Sequence, residues 1–118
     1  MDVKTALAGG TLEYCQLHNI LIQAYGPVAG GQLINPNNEV DENVKDVALL
    51  IADLAAKHNT TREAVALAWL LRHPTGIQPI IGTTRPERVV ASCAADKLVL
   101  DREEWYALYI AGRGHSLP

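Results

Sequence analysis

Ile20-Leu21-Ile22-Gln23-Ala24-Tyr25 is the stretch on which the fold turns. It is almost continuously apolar, too short for a helix and without the strict alternation of a half-buried strand. Such a run reads as a strand covered on both faces, the kind found in parallel sheets. A second short apolar run, Ile77-Gln78-Pro79-Ile80-Ile81, follows far downstream. Pro79 lacks the amide needed for a ladder hydrogen bond, so this strand is expected at an edge or near its own end.

Working outward, Thr11 to His18 reads as a short helix with Leu12, Cys15 and Leu17 turned inward. Beyond Tyr25, the segment from Gly26 toward Asn43 contains Gly30-Gly31 and Asn35-Pro36-Asn37-Asn38 and shows no regular period. Long irregular connections in compact domains tend to carry function. Asn43 to His58 carries a helical stripe of Val44, Val47, Ala48, Ile51, Leu54 and Ala55. Thr60-Thr61-Arg62-Glu63 offers a capping box for a helix from Arg62 to Arg72, holding Val65, Leu67, Ala68, Trp69 and Leu71 and stopped by Pro74 and Gly76. Thr84-Arg85-Pro86-Glu87 offers another for a helix through about Ala95. Asp101-Arg102-Glu103-Glu104 caps a last helix through about Ala111.

The order is helix, strand, long loop, two helices, strand, helix, helix. A strand, helical crossover and second buried-type strand form a parallel α/β unit. Two parallel strands leave both edges and much of both faces unpaired. The chain therefore reads as a piece of something larger, or as a subunit completed by a copy of itself.

Composition narrows the functional classes. The 118 residues suffice for one domain; 48% are hydrophobic and 19% charged, the balance of a folded globular chain. A net charge of -3 with scattered basic residues argues against a nucleic-acid surface. No apolar stretch reaches the roughly 18 residues of a membrane span. Met1-Asp2-Val3-Lys4 leads into no apolar signal core, and Cys15 and Cys93 sit in apolar helical patterns as reduced core residues, which together point to the cytoplasm. His18, His58 and His73 fall at helix ends and His115 in the tail. They read as surface or C-cap histidines, without metal-ligand spacing.

Ligands of parallel α/β proteins bind at the C-terminal ends of strands. At the second such end, Gly82 admits close backbone approach, Thr83 and Thr84 supply hydroxyls and amides at a helix start, and Arg88 follows one turn later. That set suits a phosphate, and equally reads as an ordinary helix cap with a solvated arginine. At the first end, Tyr25 either stacks on a planar ligand or fills space between strands.

Tyr25-Gly26-Pro27-Val28-Ala29-Gly30-Gly31 resembles the segment that ends strand seven of aldo-keto reductases. Pro79-Ile80-Ile81-Gly82-Thr83-Thr84-Arg85-Pro86-Glu87-Arg88-Val89 resembles that family's strand-eight segment, and Leu54 to Pro74 resembles its seventh barrel helix. The likeness covers nearly the whole chain in the expected order; the Ile-Gly-Thr-Thr form is similar to a bacterial YdhF-like branch.

The resemblance implies a C-terminal segment of a (β/α)8 barrel, residues 1–118 as one unit, from an enzyme that reduces carbonyl compounds with NADPH. It implies that Tyr25 stacks on the nicotinamide and that Gly26, Val28 and Gly30 line the pyrophosphate. Thr83 and Thr84 would face the 2′-phosphate beside Gly82, where the backbone can approach the cofactor closely, Arg88 would pair with it or with the adenine, and Ser92 stands where many members place an adenine-contacting Asn. Gly26 replaces the usual Ser, and Gly82 replaces a frequent Lys, which loosens the implied preference for NADP over NAD. The family's catalytic Asp, Tyr, Lys and His belong to earlier segments, so no catalytic residue is implied here, nor is cofactor binding by the segment alone. A homo-oligomer is expected, its apolar contact centred on Ile20, Ile22, Ile80, Ile81 and the faces of Leu54 and Trp69. Two rival readings are a non-enzymatic self-associating module and a small all-helical domain with buried apolar linkers.

Overall fold

In the computed structural model, which describes residues 10–25, 31, 33–36 and 42–113, the two apolar runs become strands β1 (Ile22–Tyr25) and β2 (Ile77–Ile80). They pair in parallel, Ile22 opposite Ile77 and Tyr25 opposite Ile80, which removes the all-helical reading. Around them lie α1 (Thr11–Leu17), α2 (Glu42–Lys57), α3 (Arg62–Leu71), α4 (Pro86–Cys93), a 3-10 turn at Ala94–Asp96, and α5 (Arg102–Arg113). The whole is helix-rich α/β with a small parallel sheet.

The middle of the core is α3. Every residue from Ala64 to Leu70 is buried, so this helix is apolar all round and needs cover on every side. It packs against α2, α4, β2 and the 3-10 turn, while α5 lies along α2. The expected stripe of α2 is realised in the buried Ala48, Ile51, Leu54 and Ala55. Ile51, Val65, Leu70 and Leu100 are the largest fully buried side chains.

Helix ends follow backbone chemistry that local sequence marks only in part. Asn19 and Asn59 take left-handed φ values of 56° and 52° just past α1 and α2. The next residues then reach back, Ile20 N to Cys15 O at 2.8 Å and Thr60 N to Ala55 O at 2.9 Å. This closes both helices with the six-to-one bond of a Schellman motif, and Asn tolerates the conformation better than most residues. The cap of α3 is Thr61, whose Oγ1 accepts from Ala64 N at 3.1 Å, and not the expected Thr60. The cap of α4 is Arg85, with no side-chain cap bond. The expected Thr84 box is absent because Thr83 Oγ1 accepts from Arg85 N, at 3.2 Å, and Pro86 begins the helix with φ already set. The Asp101 box forms as expected: Asp101 Oδ1 accepts from Glu104 N at 2.8 Å, and Glu104 Oε1 from Asp101 N at 3.0 Å.

Two side-chain assemblies tie α5 down. Trp69 Nε1 donates to Trp105 O at 2.9 Å and Trp105 Nε1 donates to Trp69 O at 2.8 Å, with the rings stacked 4.8 Å apart. This satisfies both indole donors where the rings leave water. Glu104, buried at the start of α5, meets His58 Nε2 at 2.7 Å and Lys57 Nζ at 3.1 Å at the end of α2. Burial works to raise its pKa. The Asp101 amide, then the His58 and Lys57 hydrogen bonds, outweigh burial and hold it at about 2.

Several expectations about burial are corrected. Among the described residues the strands are covered on one face only: Ile77 is in the core, with Ile22 and Ala24 packed against it. On the other face Gln23 and Gln78 are exposed and bonded to each other at 2.8 Å, and Ile80 is 46% exposed. Period-two alternation sends these side chains away from the helices, where the described residues supply no second layer. Leu17 points outward at 77% exposure and Leu71 is also exposed, while the buried partner on α3 is Leu70. Leu54 and Trp69 are spent inside the core and cannot centre an intermolecular contact. Cys15 is half-buried and Cys93 exposed, both free thiols rather than core residues. No described helix is long and apolar enough to cross a membrane.

Candidate functional site

The parallel register brings the C-terminal ends of β1 and β2 to the same end of the sheet. Tyr25, the last residue of β1, lies opposite Ile80, the last of β2. The chain leaving β1 and the turn leaving β2 therefore start side by side. In an antiparallel pair they would lie at opposite ends.

From β2, the chain passes through Ile81, Gly82, Thr83 and Thr84 into α4. Gly82 is exposed, and an added Cβ would meet nothing within 4 Å, so there is open space beside the backbone here. Thr83 is half-buried, its hydroxyl engaged by Arg85 N. Thr84, Arg85 and Arg88 are exposed. A hydroxyl and two guanidinium groups thus fall within five residues of chain around the start of α4, where the helix dipole also favours an anion. This donor set fits a phosphate. Ser92, later on α4, is buried at 9% exposure. Gly26, Val28 and Gly30 lie outside the described residues, as does His115.

One residue of this region carried no functional signal in the sequence. Arg62, the first residue of α3, donates to Ile34 O at 2.9 Å and to Asn35 Oδ1 at 3.5 Å. Alongside it, Thr61 Oγ1 donates to Ala91 O of α4 at 3.5 Å. The start of α3 thereby links the segment that follows β1 to α4. Local pattern showed Arg62 only as part of a helix cap. Its partners are 28 and 27 residues away, and no short-range motif reports them.

The histidines stand apart from this end of the sheet in their partners. His58 is committed to Glu104. His73 Nδ1 accepts from Thr75 N at 3.2 Å, and burial lowers the His73 pKa against a smaller opposing pull from Glu13. Among the described residues no group of three or more His, Cys, Asp or Glu is arranged to hold a metal ion.

Comparison with known proteins places the chain. Residues 6–111 match the pattern of the Aldo/keto reductase family. The 6-dehydroglucose reductase of Novosphingobium aromaticivorans is 33% identical over 109 residues, 92% of this chain and 35% of that protein. Oxidoreductase YdhF of Escherichia coli is 30% identical over 112 residues, 95% of this chain and 36% of its own length. A crystal structure of a thermostable aldo-keto reductase with the inhibitor epalrestat superposes with a TM-score of 0.74 at 25% identity, over 92% of this chain and 35% of that one. The chain thus spans about a third of the length of the relatives it matches.

Proposed function

The chain belongs to the aldo/keto reductase family, and from that premise we propose that it is the C-terminal, cofactor-binding segment of an NADP(H)-dependent carbonyl reductase. On this reading it contributes about strands seven and eight of the barrel with their helices. Residues 1–118 form one unit of a cytoplasmic enzyme whose substrate is a small carbonyl compound. The observation that carries the reading is the parallel register that sets the end of β1 beside the Gly82-Thr83-Thr84 turn and the arginines of α4.

The residues present suit one half of the cofactor. Thr84 and Arg88 would hold the 2′-phosphate through a hydroxyl and a two-pronged guanidinium bond, with Gly82 allowing close approach and Thr83 shaping the turn. Tyr25, Gly26, Val28 and Gly30 would hold the nicotinamide and pyrophosphate, and Ser92 would stand behind the adenine. The bound cofactor supplies the hydride. The acid and base groups that act on the carbonyl belong to other parts of the barrel.

Two outcomes follow. The 118-residue chain, incubated with NADPH and a panel of aldehydes, shows no turnover above buffer, because positioned proton donors are not replaced by cofactor binding. Turnover that survives repurification refutes this. In isothermal titration, Arg88→Ala weakens any NADP+ binding by about 1.5–3 kcal/mol, the range for a hydrogen bond to a charged group. Equal affinities would make Arg88 a solvated helix residue.

A second reading, favoured by the uncovered sheet face and the exposed Ile20, Leu21, Ile80 and Ile81, is that the lone chain self-associates. Homo-oligomers formed in this way would be detected by sedimentation over a dilution series.

A further inference from the structure

The start of α3 breaks a local rule. Arg62 is its first residue and stands at the positive end of the helix dipole, where a cation is disfavoured. Burial of its stem does not offset this, since Arg62 is exposed. Its guanidinium instead reaches a distant part of the chain: Nη1 donates to Ile34 O at 2.9 Å and to Asn35 Oδ1 at 3.5 Å. A residue that is locally unfavourable and bonded far away is one whose place is set by the site rather than by the helix.

The turn that Arg62 reaches has its own internal bonds. Gly31 O accepts from Ile34 N at 3.1 Å and from Asn35 N at 2.9 Å. Gly31 has a φ of 89°, which a residue with a Cβ adopts only under strain. Leu33 packs against the core. The turn is therefore held twice, through the apolar contact of Leu33 and through the Ile34 carbonyl. Thr61, just before Arg62, accepts from Ala64 N and donates more loosely to Ala91 O of α4. Two consecutive residues thus grip two segments, Arg62 the one that follows β1 and Thr61 the helix that follows β2.

Resting on the reading of this end of the sheet as a cofactor site, we propose that Arg62 is a positioning residue, which fixes the turn after β1 before the cofactor arrives. In this role it touches no part of the cofactor. It acts by preorganisation, because a segment already held in place does not have to be ordered on binding. The nicotinamide and pyrophosphate side of the cofactor then depends on Arg62. The 2′-phosphate side, served by Thr84 and Arg88 at the start of α4, does not.

Amide exchange followed by NMR on the 118-residue chain tests the tether with no ligand present. In Arg62→Ala the amides of Ile34 and Asn35 should exchange at least about fivefold faster, the weight of one ordinary hydrogen bond. Ala66 to Leu70 should keep their protection, and the urea midpoint should not fall, because Ala is the better helix former and takes a cation off the dipole. Arg62→Lys keeps the charge without the planar fork and should restore only part of the protection. Unchanged exchange at Ile34 and Asn35 overturns the proposal. So does a lowered midpoint with protection lost along α3, which would make Arg62 an ordinary part of the helix start. Isothermal titration then ties the tether to the site. Arg62→Ala should weaken NADP+ about fivefold and leave adenosine 2′,5′-bisphosphate unchanged, whereas Arg88→Ala weakens both. Equal loss on both ligands, or loss on neither, overturns the positioning role and leaves the cofactor reading in place. Faster exchange at Ile34 and Asn35 in a chain that binds neither nucleotide sustains the tether and counts against the cofactor reading.

Discussion

Replacing Glu104 by Gln should cost most of the electrostatic attachment between α2 and α5, and the cost should vanish in acid. Glu104 is 7% exposed and joined to the Asp101 amide, His58 and Lys57. Gln keeps the shape and an acceptor but loses the charge. The carboxylate titrates at about 2 in the fold against 4.5 for the free group. At roughly 1.4 kcal/mol per tenfold, that gap sets an upper bound of about 3 kcal/mol. Lys57 is largely solvent-exposed, so its share is screened, and about 2 kcal/mol is the expected loss at pH 7. The sign follows from the lowered pKa. Stability from this group is fully present above about pH 5 and drains away as pH falls through 4.5 toward 2. Urea unfolding of both proteins, followed by tryptophan fluorescence at one fixed protein concentration, measures the difference at pH 7, 5 and 3. The difference should be largest at pH 7 and much smaller at pH 3. A constant difference, or one below about 0.5 kcal/mol at pH 7 (the usual size for a surface substitution), would refute the charged-anchor account.

Three further substitutions probe the core that presents the site. Thr61→Ala removes the cap of α3 and should cost about 1 kcal/mol in the same unfolding assay, whereas Thr60→Ala should cost little if Thr61 is the true cap. Trp69→Phe keeps a ring to stack on Trp105 but deletes one donor of the reciprocal indole pair. A loss of about 1 kcal/mol from that bond is expected, and an unaltered denaturation midpoint would show that the pair contributes packing alone.

Sequence by itself determined the class of this protein. The runs Ile20 to Tyr25 and Ile77 to Ile81, separated by a helical stripe, specify a parallel crossover because hydrophobic period and connection length are local properties. Parallel pairing then brings Tyr25 and Ile80, the last residues of both strands, to one end of the sheet. The Asp101–Glu104 box was equally legible, since both partners lie within one helical turn. Tertiary structure decided the rest. Whether Leu17 or Leu71 faces the core, and which threonine caps α3, depends on neighbours that no short window contains. The bond from Arg62 to Ile34 O and the junction of His58, Lys57 and Glu104 join groups distant in sequence. The apolar pattern of β1 and β2 called for cover on two faces, and the described residues supply it on one. Residue pattern records how much surface a strand is made to bury; only the packed chain shows which face meets the helices.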